Sequence, residues 1–127
     1  MKLIILSFVA LLSFSCRAES DYLHSIEIIH AKMIEAKKAK DHIIRSTKGQ
    51  SDVPRSQAIQ NALSEYKEKM IPLMNEESSL RAKFYGKVSE SEESLLKQKS
   101  KKLRKILQDE SEMEEAAKEI DMTAYSN

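Results

Sequence analysis

Three histidines, His24, His30 and His42, are the side chains in this chain with the most evident chemistry. The pattern His24-x-x-Glu27-x-x-His30 brings imidazole and carboxylate groups onto one helix, and these groups can bind zinc or copper. Six residues, however, place His24 and His30 roughly 120° apart on a helix with 3.6 residues per turn. Ligands on one helix should recur at three or four residues. The spacing therefore predicts no metal site, and solvated helix histidines are the simpler interpretation.

Methionine sulfur is a second candidate ligand, for copper(I) or haem. Met33, Met70 and Met113 lie on the regular apolar stripes of predicted helices, with Met74 beside them, and methionines there are usually core fillers. Small exported four-helix bundles that bind haem resemble this chain only in size and helicity. Haem also needs a cavity and a positioned axial histidine, so the sequence predicts no cofactor.

Signatures of catalysis and of nucleic-acid binding are missing from the sequence. It contains no glycine-rich phosphate loop, no nucleophile elbow and no Ser/His/Asp arrangement, and a narrow helical bundle offers no deep pocket. The 21 basic and 20 acidic side chains give a formal charge of +1, and there is no tryptophan. This balance disfavours nucleic acid, which selects a strongly basic or base-stacking surface. We therefore predict a protein that is not an enzyme.

The first 18 residues have the three parts of a secretory signal peptide. Met1-Lys2 is a short basic start, residues 3–12 are apolar apart from Ser7, and small residues follow at Ser13, Ser15, Cys16 and Ala18. The apolar core is too short to span a bilayer, which needs about 20 residues. We expect a protein exported to the periplasm or secreted from the cell.

Two cleavage sites fit this leader. Cys16 and Ala18 flank Arg17 in a small-x-small pattern, so cleavage after Ala18 would leave Glu19 as the first residue. Alternatively, Cys16 with Ser15 before it resembles a bacterial lipobox, although Ser13 stands where that pattern prefers leucine. This resemblance implies cleavage before Cys16 and lipidation of its sulfur, which would tether the protein to a membrane. Cys16 is the only cysteine, so no disulfide can form within the chain.

Residues 19–127 predict an all-α domain of three long amphipathic helices, at about 20–47, 54–86 and 91–124. Apolar residues recur at alternating steps of four and three, the rule for helices that face other helices. The first stripe is Tyr22, Ile26, Ile29, Met33, Ala36, Lys40 and Ile43; the second is Ile59, Leu63, Tyr66, Met70, Leu73, Glu77, Leu80 and Phe84; the third is Leu96, Lys99, Leu103, Ile106, Glu110, Met113, Ala117, Ile120 and Ala124. Leu23 and Ile44 widen the first stripe, and Leu95 and Leu107 widen the third.

Short connections between the three segments imply antiparallel neighbours. Gly49 and Pro54 mark the first turn, and Gly86 with a Ser89–Glu92 capping box marks the second. Pro72 predicts a kink or a short break over residues 68–71 of the second helix. The expected fold is an elongated, coiled-coil-like, up-down-up three-helix bundle. An alternative is an oligomeric coiled coil, in which the stripes are buried between copies of the chain.

Charge patterning supports this arrangement. The first helix is acidic early and basic late, the third is basic early and acidic late, and the two run parallel in an up-down-up bundle. Four charged residues fall on the inner stripes. Counting from the turns places Lys40 at the same height along the bundle as Glu110, and Glu77 at the same height as Lys99, which predicts two inter-helix ion pairs that fix the register of the helices. The alternative is that these four side chains extend outward along the bundle edge.

These observations predict an exported, non-enzymatic helical protein that binds a protein partner or an envelope component through its helical surface, as an adaptor, a chaperone-like holder or a structural spacer. The alternative is a carrier of a small ligand, a metal or haem inside the bundle. The basic run at residues 97–105 could contact anionic lipid or an acidic partner, although packing within the bundle is the simpler use of its apolar residues.

Overall fold

The computed structural model describes residues 2–126, with the side chains of residues 21–120. Four helices follow one another: α1 (Lys2–Ser46), α2 (Asp52–Phe84), α3 (Glu90–Gln108) and α4 (Ser111–Ser126). The prediction of an all-helical bundle is confirmed, and the described residues include no strand. The predicted signal peptide and the candidate lipidation site Cys16 lie outside the residues whose side chains are described. Within the described part, no helix has the length and apolarity needed to cross a bilayer.

Helix α1 is the central element, since each of the other three helices packs against it. Its predicted inner stripe is correct from Tyr22 to Lys40, all of whose members are buried. At the end of the stripe Ile44, at 1% exposure, is more deeply buried than the predicted Ile43. A strict seven-residue repeat drifts by about 20° per heptad on a straight helix, which accounts for the shift of one position.

The contacts of α1 fix the directions of its neighbours. The rings of Tyr22 and Phe84 stack with centroids 4.6 Å apart, and Ile44 at the other end of α1 packs with Ile59. Later residues of α1 therefore meet earlier residues of α2, and the two helices are antiparallel. Leu96 packs in the cluster of Tyr22, whereas Leu103 packs further along, so α3 runs parallel to α1.

Both glycines have the left-handed backbone that the turn interpretation requires, with φ of +87° at Gly49 and +73° at Gly86. Ser89 caps α3, its hydroxyl accepting the N–H of Glu92 at 3.4 Å. Helix α2 continues through Pro72, so the predicted short break does not occur. A proline removes a single backbone hydrogen bond there, while Met70 and Leu73 on either side still pack against the core.

The third predicted segment is two helices rather than one, divided at Asp109 and Glu110. The Asp109 carboxylate accepts the N–H of Ser111 at 3.3 Å, and the Glu110 carbonyl accepts the N–H of Glu114 at 2.9 Å. Both bonds are typical of a helix N-terminus. The first satisfies a first-turn amide that has no partner within the helix, and the second is the first hydrogen bond of the helical series. Short polar side chains at Asp109 and Ser111, with Glu114 three residues further on, are the sequence signal for this start.

In both helices the core-facing residues differ by one position from the predicted stripe. Leu107 packs against the central cluster, whereas the predicted Ile106 is 42% exposed. In α4, Ala116 is buried at 1% exposure and the predicted Ala117 is exposed. Leu107 lies before the break, so only the shift in α4 follows from the break, which resets the helical phase at Ser111.

The α4 end of the bundle is closed by charged pairs that α4 makes with α1, with α2 and with the turn between them. Arg45 lies 2.9 Å from Glu112, Lys48 lies 3.4 Å from Glu115, and the buried Arg55 lies 2.6 Å from Glu119. Below them Ile44, Ile59 and Ala116 form an apolar cluster. The predicted pairing of late basic residues in α1 with acidic residues near the C-terminus is confirmed by the Arg45 pair.

Candidate functional site

A groove runs between α2 and α3, and α1 forms its floor. Its apolar lining consists of Met33, Met70, Met74, Leu103 and Leu107, and we call it the methionine groove. Met33, Met70 and Leu103 are each less than a tenth exposed, whereas Met74 stands at the mouth with 55% of its surface in water. The cavity volume is about 430 Å³, within the range of ligand-binding clefts.

The groove forms because α2 and α3 both pack on α1 and are separated above it. Between Met70 and Arg81 its α2 wall covers eleven residue steps, about 16 Å of helix at 1.5 Å per residue. Methionine suits such a lining, because its unbranched side chain adapts to irregular partners without losing apolar contact. The α2 wall is apolar at Met70 and Met74 and polar from Glu77 to Arg81, so the deformable apolar lining lies toward one end of the groove.

A chain of polar contacts crosses one part of the groove and links three helices. His30 Nε2 on α1 hydrogen-bonds to Glu77 Oε1 on α2 at 3.0 Å. Arg81 donates to the same oxygen at 2.9 Å and to the Ser100 hydroxyl on α3 at 2.8 Å. The hydrogen bond from His30, with a smaller contribution from Arg81, holds the pKa of Glu77 below its ordinary value of 4.5 although burial opposes this. Glu77 is therefore favoured as a carboxylate in the folded state.

The rim of the groove on α3 is basic. Arg104 lines the methionine groove, and it lines an adjoining depression together with Arg81, Lys97 and Lys101. Lys97, Lys101 and Arg104 are spaced by four and three residues, so they lie on one face of α3. Of the described residues that line the methionine groove, Glu77 is the acidic one, and it is already bonded to His30 and Arg81. The mouth of the groove is therefore positive.

The four charged residues of the predicted ion pairs have other neighbours in the structure. Glu77 contacts His30 and Arg81, and Lys99 contacts Glu27 of α1. The prediction of a Glu77–Lys99 pair left out His30 of α1, which is the inter-helix partner that Glu77 has in the structure. The signal was present, because His30 follows Ile26 by four residues and precedes Met33 by three, and so lies on the inner face.

The second predicted pair, Lys40–Glu110, is likewise replaced by local contacts. Lys40 is buried, lies 3.8 Å from Asp41 and sits 4.5 Å above the ring of Tyr66. Glu110 is exposed in the break between α3 and α4. The sequence predicted a continuous third helix and therefore placed Glu110 on its inner stripe. In the structure α3 ends at Gln108, before Glu110.

Lys37 is a buried charge that the sequence interpretation missed. It is 5% exposed and donates to Asp41 at 2.5 Å, so one carboxylate lies between the ammonium groups of Lys37 and Lys40. Burial raises the pKa of the neighbouring Tyr66 hydroxyl, with Lys37 opposing the rise. These contacts lie within the packed α1–α2 interface, so we assign them to packing and register.

The histidine interpretation needs one correction. His24 and His42 are exposed as expected, but His30 is buried at 7% exposure and bonded to Glu77. Across the described residues, no three His, Cys, Asp or Glu side chains lie close enough to hold a metal ion together.

Comparison with protein-family models, with curated proteins and with solved structures finds no match to this chain. What the site can do is therefore inferred from its own residues. A recessed apolar floor with a basic rim is suited to binding an amphipathic molecule. The floor would remove the molecule's apolar side from water, and the basic rim would favour negative charge beside that side.

Proposed function

We propose that this chain is an exported, non-enzymatic protein that acts by binding a protein partner, and that the methionine groove receives the partner. The observation that carries the proposal is the exposure of an apolar groove between two helices. Met74 keeps 55% of its surface in water at the groove mouth, and the basic side chains of α3 border the cavity beside it. The floor of the groove offers apolar contact, and its basic rim favours a partner with negative charge. An apolar centre and a polar rim are the two parts of a typical protein interface.

The proposal includes export. It is supported by the basic start, the apolar core and the small residues before position 19. Intact mass spectrometry of the protein purified from its native source distinguishes the forms. A mass that begins at Glu19 makes it a soluble exported protein, and a mass that begins at Cys16 with acyl chains makes it membrane-tethered. A mass that retains Met1 contradicts export.

The proposal also includes an elongated, coiled-coil-like, up-down-up arrangement within one chain. Its support is the antiparallel packing of α2 and the parallel packing of α3 against α1. The competing arrangement is a homo-oligomer whose stripes are buried between chains. Light scattering over a range of concentrations tests this, since a monomer at every concentration excludes an obligate oligomer.

Site-specific photo-crosslinking tests the binding proposal in the cells that make the protein. A photoreactive residue replaces Met74 at the groove mouth or, as a matched control, Ser79, which is also exposed on α2 but about 140° further around it. We expect a discrete adduct with another protein from position 74 and none from position 79. Equal labelling at both positions, or none at either, contradicts a partner in the groove.

A second candidate function is a carrier of a small ligand, a metal or haem. The groove's volume of about 430 Å³ supports it, its methionines are possible ligands, and His30 bonds to the lining residue Glu77. His30 would first have to leave Glu77. A coloured or metal-bearing protein from the native source would support this alternative. Colourless protein without stoichiometric metal, whose melting temperature does not rise with copper, zinc or haem, would exclude metal and haem carriage.

A further inference from the structure

We infer that the element bound by the methionine groove is an acidic amphipathic helix of another protein. This inference rests on the proposed function and names the chemistry of the partner. Three features select this occupant: the length of the groove, the depth of its apolar floor and the sign of charge on its rim.

The length and shape of the groove match a helix. Two helices lie side by side on a third, so an added helix would complete a four-helix arrangement with neighbours on three sides. Before the bond between Arg81 and Ser100 joins α2 to α3, the α2 wall from Met70 to Glu77 is about 10 Å long, which corresponds to about two turns of a bound helix. A helix presents apolar residues every three or four positions, and these would reach Met33 on the floor and Leu103 and Leu107 on the α3 side.

The charge of the rim selects an acidic partner. Arg104 and Lys101 on α3 belong to the row that borders the groove, and no acidic side chain among the described lining residues is left to balance them once Glu77 is bonded to His30 and Arg81. Arg104 enters no ion pair within the described residues. Acidic residues flanking an apolar stripe would complement this rim, whereas basic flanks would be repelled.

The recessed floor disfavours the other anionic occupants. Met70 and Leu103 are 7% and 8% exposed and lie below the basic side chains, so a flat lipid surface would meet the rim without covering the floor. A single acyl chain would lie in a groove open along one side, whereas small-ligand sites bury most of their ligand. A helix covers both floor and rim at once.

Methionine methyl spectra of the protein with carbon-13-labelled methionine test the inference. Met33, Met70 and Met74 line the groove, while Met113 belongs to the cluster at the α4 end and serves as an internal control. The probe is a synthetic amphipathic peptide of about 14 residues, long enough to span the open part of the groove, with leucines on one face flanked by glutamates. The matched control peptide carries lysine in place of every glutamate.

The acidic peptide should shift the Met33, Met70 and Met74 resonances and leave Met113 unchanged, while the lysine peptide should shift none. The substitution Arg104→Glu should lower the affinity for the acidic peptide by about tenfold, because an attractive rim charge becomes repulsive. Lys102→Glu is the matched charge reversal on the far side of α3, and it should change affinity less than twofold, as expected of a screened charge about a Debye length away.

Equal binding of the lysine peptide, or stronger shifts with dodecanoate or anionic phosphatidylglycerol vesicles, would overturn the acidic helix. The two proposals fail separately. If neither peptide shifts the groove methionines while crosslinking at position 74 still captures a protein, the acidic helix is wrong and the binding groove remains. If crosslinking at position 74 also fails, both are wrong.

Discussion

Two regions of this bundle use the same kinds of residue for opposite purposes. At the α4 end, basic side chains of α1, of α2 and of the turn between them meet acidic side chains of α4, and Ile44, Ile59 and Ala116 are closed beneath them. Beside α3, in the middle of the bundle, the basic side chains of the rim have no acidic helix opposite them among the described residues, and the apolar floor remains open. The groove therefore resembles the closed end with its acidic helix removed, which is why we expect such a helix as its partner.

The largest expected difference between the two regions is in stability. Ile44→Ala at the closed end should lower the free energy of unfolding by about 2–5 kcal/mol, because it removes a fully buried side chain and leaves a cavity. Met74→Ala in the groove should cost about 0.5 kcal/mol or less, since Met74 is half in water. Urea unfolding followed by helical circular dichroism measures both. Equal losses would show that the groove is as tightly packed as the closed end.

A smaller difference is expected within the closed end, between its buried and exposed charges. Arg55 is buried, bonds to Thr47 and pairs with Glu119, so Arg55→Ala should cost about 1–3 kcal/mol by leaving a buried polar partner unsatisfied. Arg45 pairs with Glu112 in solvent, and Arg45→Ala should cost at most about 1 kcal/mol. The same urea titrations measure the two. A larger loss for Arg45 would contradict the assignment of Arg55 as the anchor of α4.

The polar bridge across the groove predicts a pH dependence. The pKa of Glu77 is lowered in the folded state, so its carboxylate stabilises the fold fully above the ordinary value of 4.5 and progressively less as the pH falls through the lowered value. Glu77→Gln should cost about 1–2 kcal/mol at neutral pH, and the difference from wild type should shrink below about pH 4.5. Glu76→Gln, an exposed neighbour on α2, is the matched control and should leave the profile unchanged. A constant difference down to pH 2 would contradict the ionised bridge.

Much of the fold follows from local sequence patterns. The four-and-three spacing predicted a row of buried residues of α1 from Tyr22 to Lys40, although not His30 or Lys37, and Gly49 and Gly86 marked the turns. The break at Asp109 was not predicted, because the apolar spacing continues across it and only the capping residues reveal it. Periodicity tells which face of a helix is apolar, and it does not tell whether the backbone continues.

The site was less predictable than the fold. His30 was interpreted as solvated because its spacing from His24 does not suit a metal site, although its spacing from Ile26 and Met33 places it on the inner face. The partner of Glu77 depends on which side chain of a neighbouring helix lies within hydrogen-bond distance, and that distance is set by the packing of the helices in three dimensions. The groove itself is a gap between elements, and the apolar stripes that line it look in sequence like any other core-facing stripes.

The most direct test of the binding groove is partner retention by two matched variants made in the native cells. Met74→Glu places a charge at the groove mouth, and Ser79→Glu places the same charge on the far side of α2. If the groove binds the partner, the protein crosslinked to position 74 should co-purify with wild type and Ser79→Glu and be lost from Met74→Glu, while all three unfold at the same urea concentration. Full retention of that partner by Met74→Glu would contradict the assignment of the methionine groove as the binding surface.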